Sequence, residues 1–71
     1  MQYTVIIEKE ATTDWGAYVP DLPGCVAVAE TPDEVEHLIR EAIALHVRGM
    51  RDDGEPVPTP SSRAIVVEVA A

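Results

Sequence analysis

Cysteine occurs once in the 71 residues, at Cys25, so no internal disulfide can staple the chain and no thiolate cluster can hold zinc. No Lys, Arg or His lies near Cys25 in sequence to lower its pKa, so it reads as a small buried hydrophobe. Basic residues are scarce as well. Five Lys and Arg face thirteen Asp and Glu, a net charge of −8. Nucleic-acid affinity comes mostly from Lys and Arg displacing counterions, so direct DNA or RNA binding is not expected. The same field attracts a basic protein. No apolar run approaches membrane-spanning length, and the N-terminus alternates like a strand instead of carrying a basic leader. A soluble cytoplasmic protein without membrane contact is expected.

What the chain does carry is one small domain, residues 1–71. A core of this size supplies about 3–5 kcal/mol, so oligomerisation is a natural supplement. "MQYTVIIEKE" alternates Tyr3, Val5, Ile7 with Thr4, Ile6, Glu8, and "WGAYVP" alternates Trp15, Ala17, Val19 with Gly16, Tyr18. These period-two runs predict a hairpin across the polar turn "ATTD". Pro20 ends the second strand, because proline cannot donate to a ladder. In "PDLPG", Pro23 suits position i+1 and Gly24 position i+2 of a type II turn. "CVAVA" then makes a third, short strand.

"ETPDEV" predicts a helix start. Thr31 is the N-cap, Pro32 sits at N1, and Glu34 stands where a capping box needs it. The helix should run from Pro32 to about Asp52, with Gly54 as terminator. Val35, Leu38, Ile39, Ala42, Ile43, His46 and Met50 form its apolar stripe, while His37, Arg40, Glu41, Ala44, Arg48 and Arg51 lie opposite. "EPVPTPSS" is an extended connector, and "RAIVVEV" reads as a final strand.

No glycine-rich phosphate loop and no nucleophile elbow is present. His37 and His46 lie at opposite sides of one helix and cannot share a metal. His46 reads as a half-buried histidine bonded to a backbone carbonyl, and His37 as solvent-facing. Glu8, Glu34 and Glu68 are the carboxylates that a Mg²⁺-dependent nuclease would need to gather. Glu34 is already explained by the cap, and glutamates at strand ends keep those ends wet. No catalytic residue, metal or cofactor is therefore expected.

The stretch from "WGAYVPDLPGCVAVAE" through the Thr-capped helix to "DDGEPVPTPS" resembles the HicB-like antitoxin domain. That resemblance implies a partial ribonuclease-H-like fold without the nuclease site. It also implies a partner: the HicA toxin, a small basic endonuclease that cleaves mRNA. Where the family often has Gly-Asp-Thr before the helix, Ala29, Glu30 and Thr31 stand here. Many such antitoxins continue into a DNA-binding domain; the sequence stops at Ala71, so operator binding is expected to be missing here or to be assigned elsewhere.

The expected architecture is α+β, in the order β-β-β-α-β. It comprises a three-stranded antiparallel meander, one helix on one face, and a fourth strand beside the first. Trp15, Val5, Ile7, Val19, Val67, Leu38, Ile39 and Ala42 are expected in the core. Ile6, Tyr18, Ala27 and Val66 are expected on an apolar second face that a second copy would cover, with Ile6, Tyr18 and Val66 as interface residues. Asp21, Leu22, Glu30 and Asp33 are expected to meet the toxin. Three functions remain open at this point: a toxin-neutralising binding module, a structural homo-oligomer, and a small metal-dependent nuclease.

Overall fold

A computed structural model describes residues 1–10 and 14–70 of the chain. Its elements are β1 (Ile6–Lys9), β2 (Trp15–Tyr18), β3 (Val26–Ala29) and α1 (Pro32–Asp52). The strands form one antiparallel sheet in the order β1-β2-β3. The polar turn expected at residues 11–14 falls largely on 11–13, outside the described residues. Its neck is closed by the Glu10 N–H donating to the Asp14 carbonyl at 2.9 Å.

The register sorts side chains onto two faces. Ile7, Ala17 and Ala27 align in one row, and Ile6, Tyr18 and Val26 in the next. Alternation therefore puts Ala17 and Ala27 beneath the helix and Tyr18 and Val26 on the open side. This corrects the expected second face, because Ala27 belongs under α1. Cys25, 3% exposed, sets the phase of β3: a buried residue at 25 carries 27 and 29 inward and turns Val26 and Val28 outward.

Two tandem turns build the corner between β2 and β3. Leu22 N–H donates to the Val19 carbonyl at 3.0 Å, and Cys25 N–H to the Leu22 carbonyl at 3.1 Å. Gly24 has φ +85°, as the second central position of a type II turn requires, with Pro23 before it. Val19 N–H donating to Cys25 O closes the corner at 3.3 Å. Leu22 is thereby driven inward, to 1% exposure.

α1 has the expected bounds. Thr31, extended at φ −129° and ψ 154°, accepts the Glu34 N–H on its hydroxyl at 3.1 Å. The other end is a Schellman motif. Glu55 N–H reaches Met50 O at 2.8 Å, Gly54 N–H reaches Arg51 O at 3.1 Å, and Gly54 takes φ +71°.

The fully buried set is Ala17, Val19, Leu22, Cys25, Val35 and Ile39, with Trp15, Val5, Ala42, Ile43 and Val47 packed around it. Three expected core residues differ. Leu38 is 40% exposed, on a side of α1 shared with Asp33, Glu34 and His37, and Ile7 is 37% exposed because α1 packs mainly over β3 and β2 and less over β1. Val67, 68% exposed, lies in a segment that takes no part in the sheet.

That segment is the main departure from the expected architecture. Among the described residues the sheet has three strands, and residues 61–70 are exposed without strand pairing. The Cα radius of gyration is 13.8 Å and the longest axis 49 Å. About 11 Å would be usual for a compact chain of this length. The excess reflects the extended C-terminal arm.

Candidate functional site

Asp21 sits at the tip of the first corner turn, held outward because its neighbour Leu22 points inward. Its carboxylate receives four hydrogen bonds from two consecutive serines. Oδ2 accepts the backbone N–H groups of Ser61 and Ser62, each at 2.9 Å. Oδ1 accepts their hydroxyls, at 3.0 and 2.8 Å. Beside this clamp the Thr4 hydroxyl donates to the Ser62 carbonyl at 2.8 Å, and the Tyr3 hydroxyl donates to Pro58 O. The proline-rich connector is thus tied across the end of the sheet, and the arm is rooted at Ser62.

The backbone N–H groups of Ser62 and Ser61 favour the charged form of Asp21 and lower its pKa from 3.8 to about 2. A carboxylate whose folded pKa is depressed contributes stability above its unfolded pKa and loses it as pH falls towards the folded value. Its stabilising contribution is therefore expected in full above about pH 4 and to fall away between about pH 4 and pH 2, while the clamp itself releases as pH falls through about 2. The Ser61 and Ser62 amide resonances, followed by acid titration, should shift with a midpoint near 2. A midpoint at the ordinary aspartate value would mean that the four bonds do not form in solution.

The four residues expected to meet a toxin are not equivalent in the fold. Asp21 has both oxygens engaged within the chain. Leu22 is core and presents no surface, so its expected docking role is corrected: a side chain 1% exposed cannot be a contact without unfolding the corner. Glu30 and Asp33 are exposed on either side of the Thr31 cap. Together with Glu34 they leave the start of α1 acidic and open.

Of the three residues expected at an oligomer interface, Ile6 and Tyr18 are direct cross-strand partners, with Tyr18 42% exposed. Val66 does not join them on the sheet; it is fully solvent-exposed on the arm. Val26 and Val28, 62% and 60% exposed, extend the open face instead. The buried phase of Cys25 was the signal that could have placed them.

The opposite, helix-covered side also carries an uncovered strip. A groove runs between the β1 end of the sheet and α1, lined by Tyr3, Val5, Ile7, Ile39 and Ile43, with Glu36 and Arg40 at its rim. The rim pair is an exposed i,i+4 ion pair at 2.8 Å.

The chemistry-bearing residues are dispersed. Glu8 lies on β1, Glu34 at the start of α1 and Glu68 on the arm. Among the described residues no three His, Cys, Asp or Glu side chains gather closely enough to hold a metal ion. His37 pairs with exposed Glu41 at 3.1 Å, and His46 is half-buried in a depression with Leu22, Pro23 and Met50. Burial raises the pKa of the Cys25 thiol, which disfavours a reactive thiolate. No helix among the described residues is long and apolar enough to cross a membrane.

The chain is similar to several known proteins. The fold is similar to the N-terminal domain of the Burkholderia pseudomallei antitoxin HicB, with a TM-score of 0.77 and 35% identity, covering 87% of this chain and 74% of that one. A UPF0150 protein of Thermoplasma acidophilum is 34% identical over 67 residues, 94% of this chain and 97% of its own length. A 14.9 kDa protein of Haemophilus phage HP1 is 38% identical over 58 residues, which span 82% of this chain but 43% of the phage protein. Residues 3–70 match the family described as the HicB-like antitoxin of bacterial toxin–antitoxin systems, and the chain belongs to that family.

Proposed function

We propose that this chain is the non-catalytic antitoxin of a toxin–antitoxin pair, acting on a small, basic, HicA-like toxin that cleaves RNA. The observation that carries this reading is the family match over residues 3–70. The charge of −8 supports it physically. A toxin that grips RNA phosphates presents a cationic surface, and an acidic antitoxin both steers it and competes for it. Covering that surface stops RNA from binding, so neutralisation needs no bond making or breaking. Glu30 and Asp33 are the acids free to meet it, since Asp21 is spent on the connector. A structural role as a homo-oligomer is the second reading, favoured by the unpaired apolar residues of the arm.

The test is the association rate of the cognate toxin with wild type and with a Glu30→Lys/Asp33→Lys variant, at several salt concentrations. Asp33→Lys also reverses a favourable helix-dipole contact, worth about 0.3–1 kcal/mol, so folding is verified first by circular dichroism. Charge reversal should slow association about tenfold at low salt and flatten the salt dependence. Unchanged kinetics would move the docking surface to the open sheet face or to the outer face of α1.

A further inference from the structure

Residues 64–69 are strand-like in composition and period but lie without a strand partner. Ile65, Val66, Val67 and Val69 are 72%, 101%, 68% and 79% exposed. So much aliphatic surface in water is costly, and it stands on an arm whose root is held by Asp21 and Thr4. On the body of the same chain, the outer edge of β1 has no strand partner among the described residues. The groove beside that edge, with Val5, Ile7 and Ile43 along it and Glu36 and Arg40 at its rim, is likewise open. One chain therefore displays both an unsatisfied strand and an unsatisfied edge.

We infer that the two are satisfied by exchange between two copies. Residues 63–69 of each copy add as a strand to the free β1 edge of the other, with Ile65, Val67 and Val69 facing the groove beneath α1. Alternation supports the assignment: it leaves Ala64, Val66 and Glu68 towards the open face, where Glu68 stays hydrated. Seven extended residues reach about 23 Å, against about 13 Å for the four of β1, so the arm covers the whole edge. Exchange is mutual, so a pair closes on itself and leaves no free arm. It also removes the β1 edge, an otherwise open template for aggregation. The inference does not depend on the toxin reading, and a failed toxin measurement leaves it standing.

Sedimentation of the full chain should give the mass of two subunits at micromolar concentration. Val67→Asp should return the mass of one subunit with the helical signal retained, because Val67 touches no core within its own copy. Deleting residues 64–71 should do the same and serves if the aspartate variant fails to fold. In a mixture of isotope-labelled and unlabelled wild type, filtered NOEs should connect Val67 methyls of one copy with Ile7 methyls of another. A one-subunit mass for wild type overturns the proposal. So do Val67–Ile7 NOEs confined within one molecule, which would mean that the arm closes on its own sheet. A dimer that survives both variants overturns it too, and assigns the contact to the Ile6–Tyr18–Val26 face. Arm protection that appears only on adding a basic protein assigns the arm to that partner instead.

Discussion

Leu22→Ala is expected to unfold most of the population under conditions where wild type is folded. Leu22 is 1% exposed and packs in the same cluster as Val19, Cys25, Val35 and Ile39. Truncating a buried leucine costs about 2–5 kcal/mol, in lost transfer energy and in the cavity left behind. A core of this size supplies about 3–5 kcal/mol in total, so the loss rivals the whole stability. The corner cannot collapse to refill the space, because tandem turns around Pro20 and Pro23 hold its path. Urea denaturation followed by circular dichroism, at one fixed protein concentration, measures the effect. Leu45→Ala is the control: its side chain is 68% exposed, and its midpoint should barely move. A Leu22→Ala protein with a wild-type midpoint would take Leu22 out of the core and restore it as a possible contact residue.

Gly24→Val is expected to have the next largest effect, and for a different reason. Nothing lies within 4 Å of a Cβ built at Gly24, so space is not the difficulty. The backbone is at φ +85°, a left-handed conformation in which the Cβ of an L-residue crowds the adjacent backbone peptide group. That costs about 1–2 kcal/mol for an ordinary residue and more for a β-branched one. Stability should fall in the order Gly, Asn, Ala, Val, since Asn tolerates the left-handed region better than Ala. The consequence extends beyond the turn. The same corner aims Leu22 into the core and Asp21 at Ser61 and Ser62, so loosening it should also weaken protection of those two serine amides. Equal stability for the Ala and Val variants, with the serine amides unaffected, would show that the corner adopts a different turn.

Much of the local structure was legible because its causes are local. The helix from Pro32 to Asp52 follows from Thr31 and Pro32 at one end and Gly54 at the other, each acting within four residues. The Pro23-Gly24 turn depends on two adjacent φ values. The hairpin follows from two period-two runs close in sequence. The site was harder to read. Glu30 and Asp33 are surface acids wherever the chain folds, but Asp21 meets serines 40 and 41 residues away, and no local signal announces such a pair. Leu22 was misplaced for a related reason: a lone leucine between two turns has no periodicity to show which way it points.

The amino-acid sequence by itself determined the acidic character, the meander, the capped helix and the capacity of residues 63–69 to be a strand. Tertiary structure decided which face receives Ala27, which acid is spent on the connector, and that the arm leaves its own sheet unpaired. The physical reason is that alternation specifies a strand's two faces but not its neighbour. Backbone hydrogen bonds between strands are made to whatever edge the rest of the fold presents. Here α1 sits over β3 and β2, Asp21 and Thr4 fix where the arm begins, and the β1 edge is left open to be met from outside.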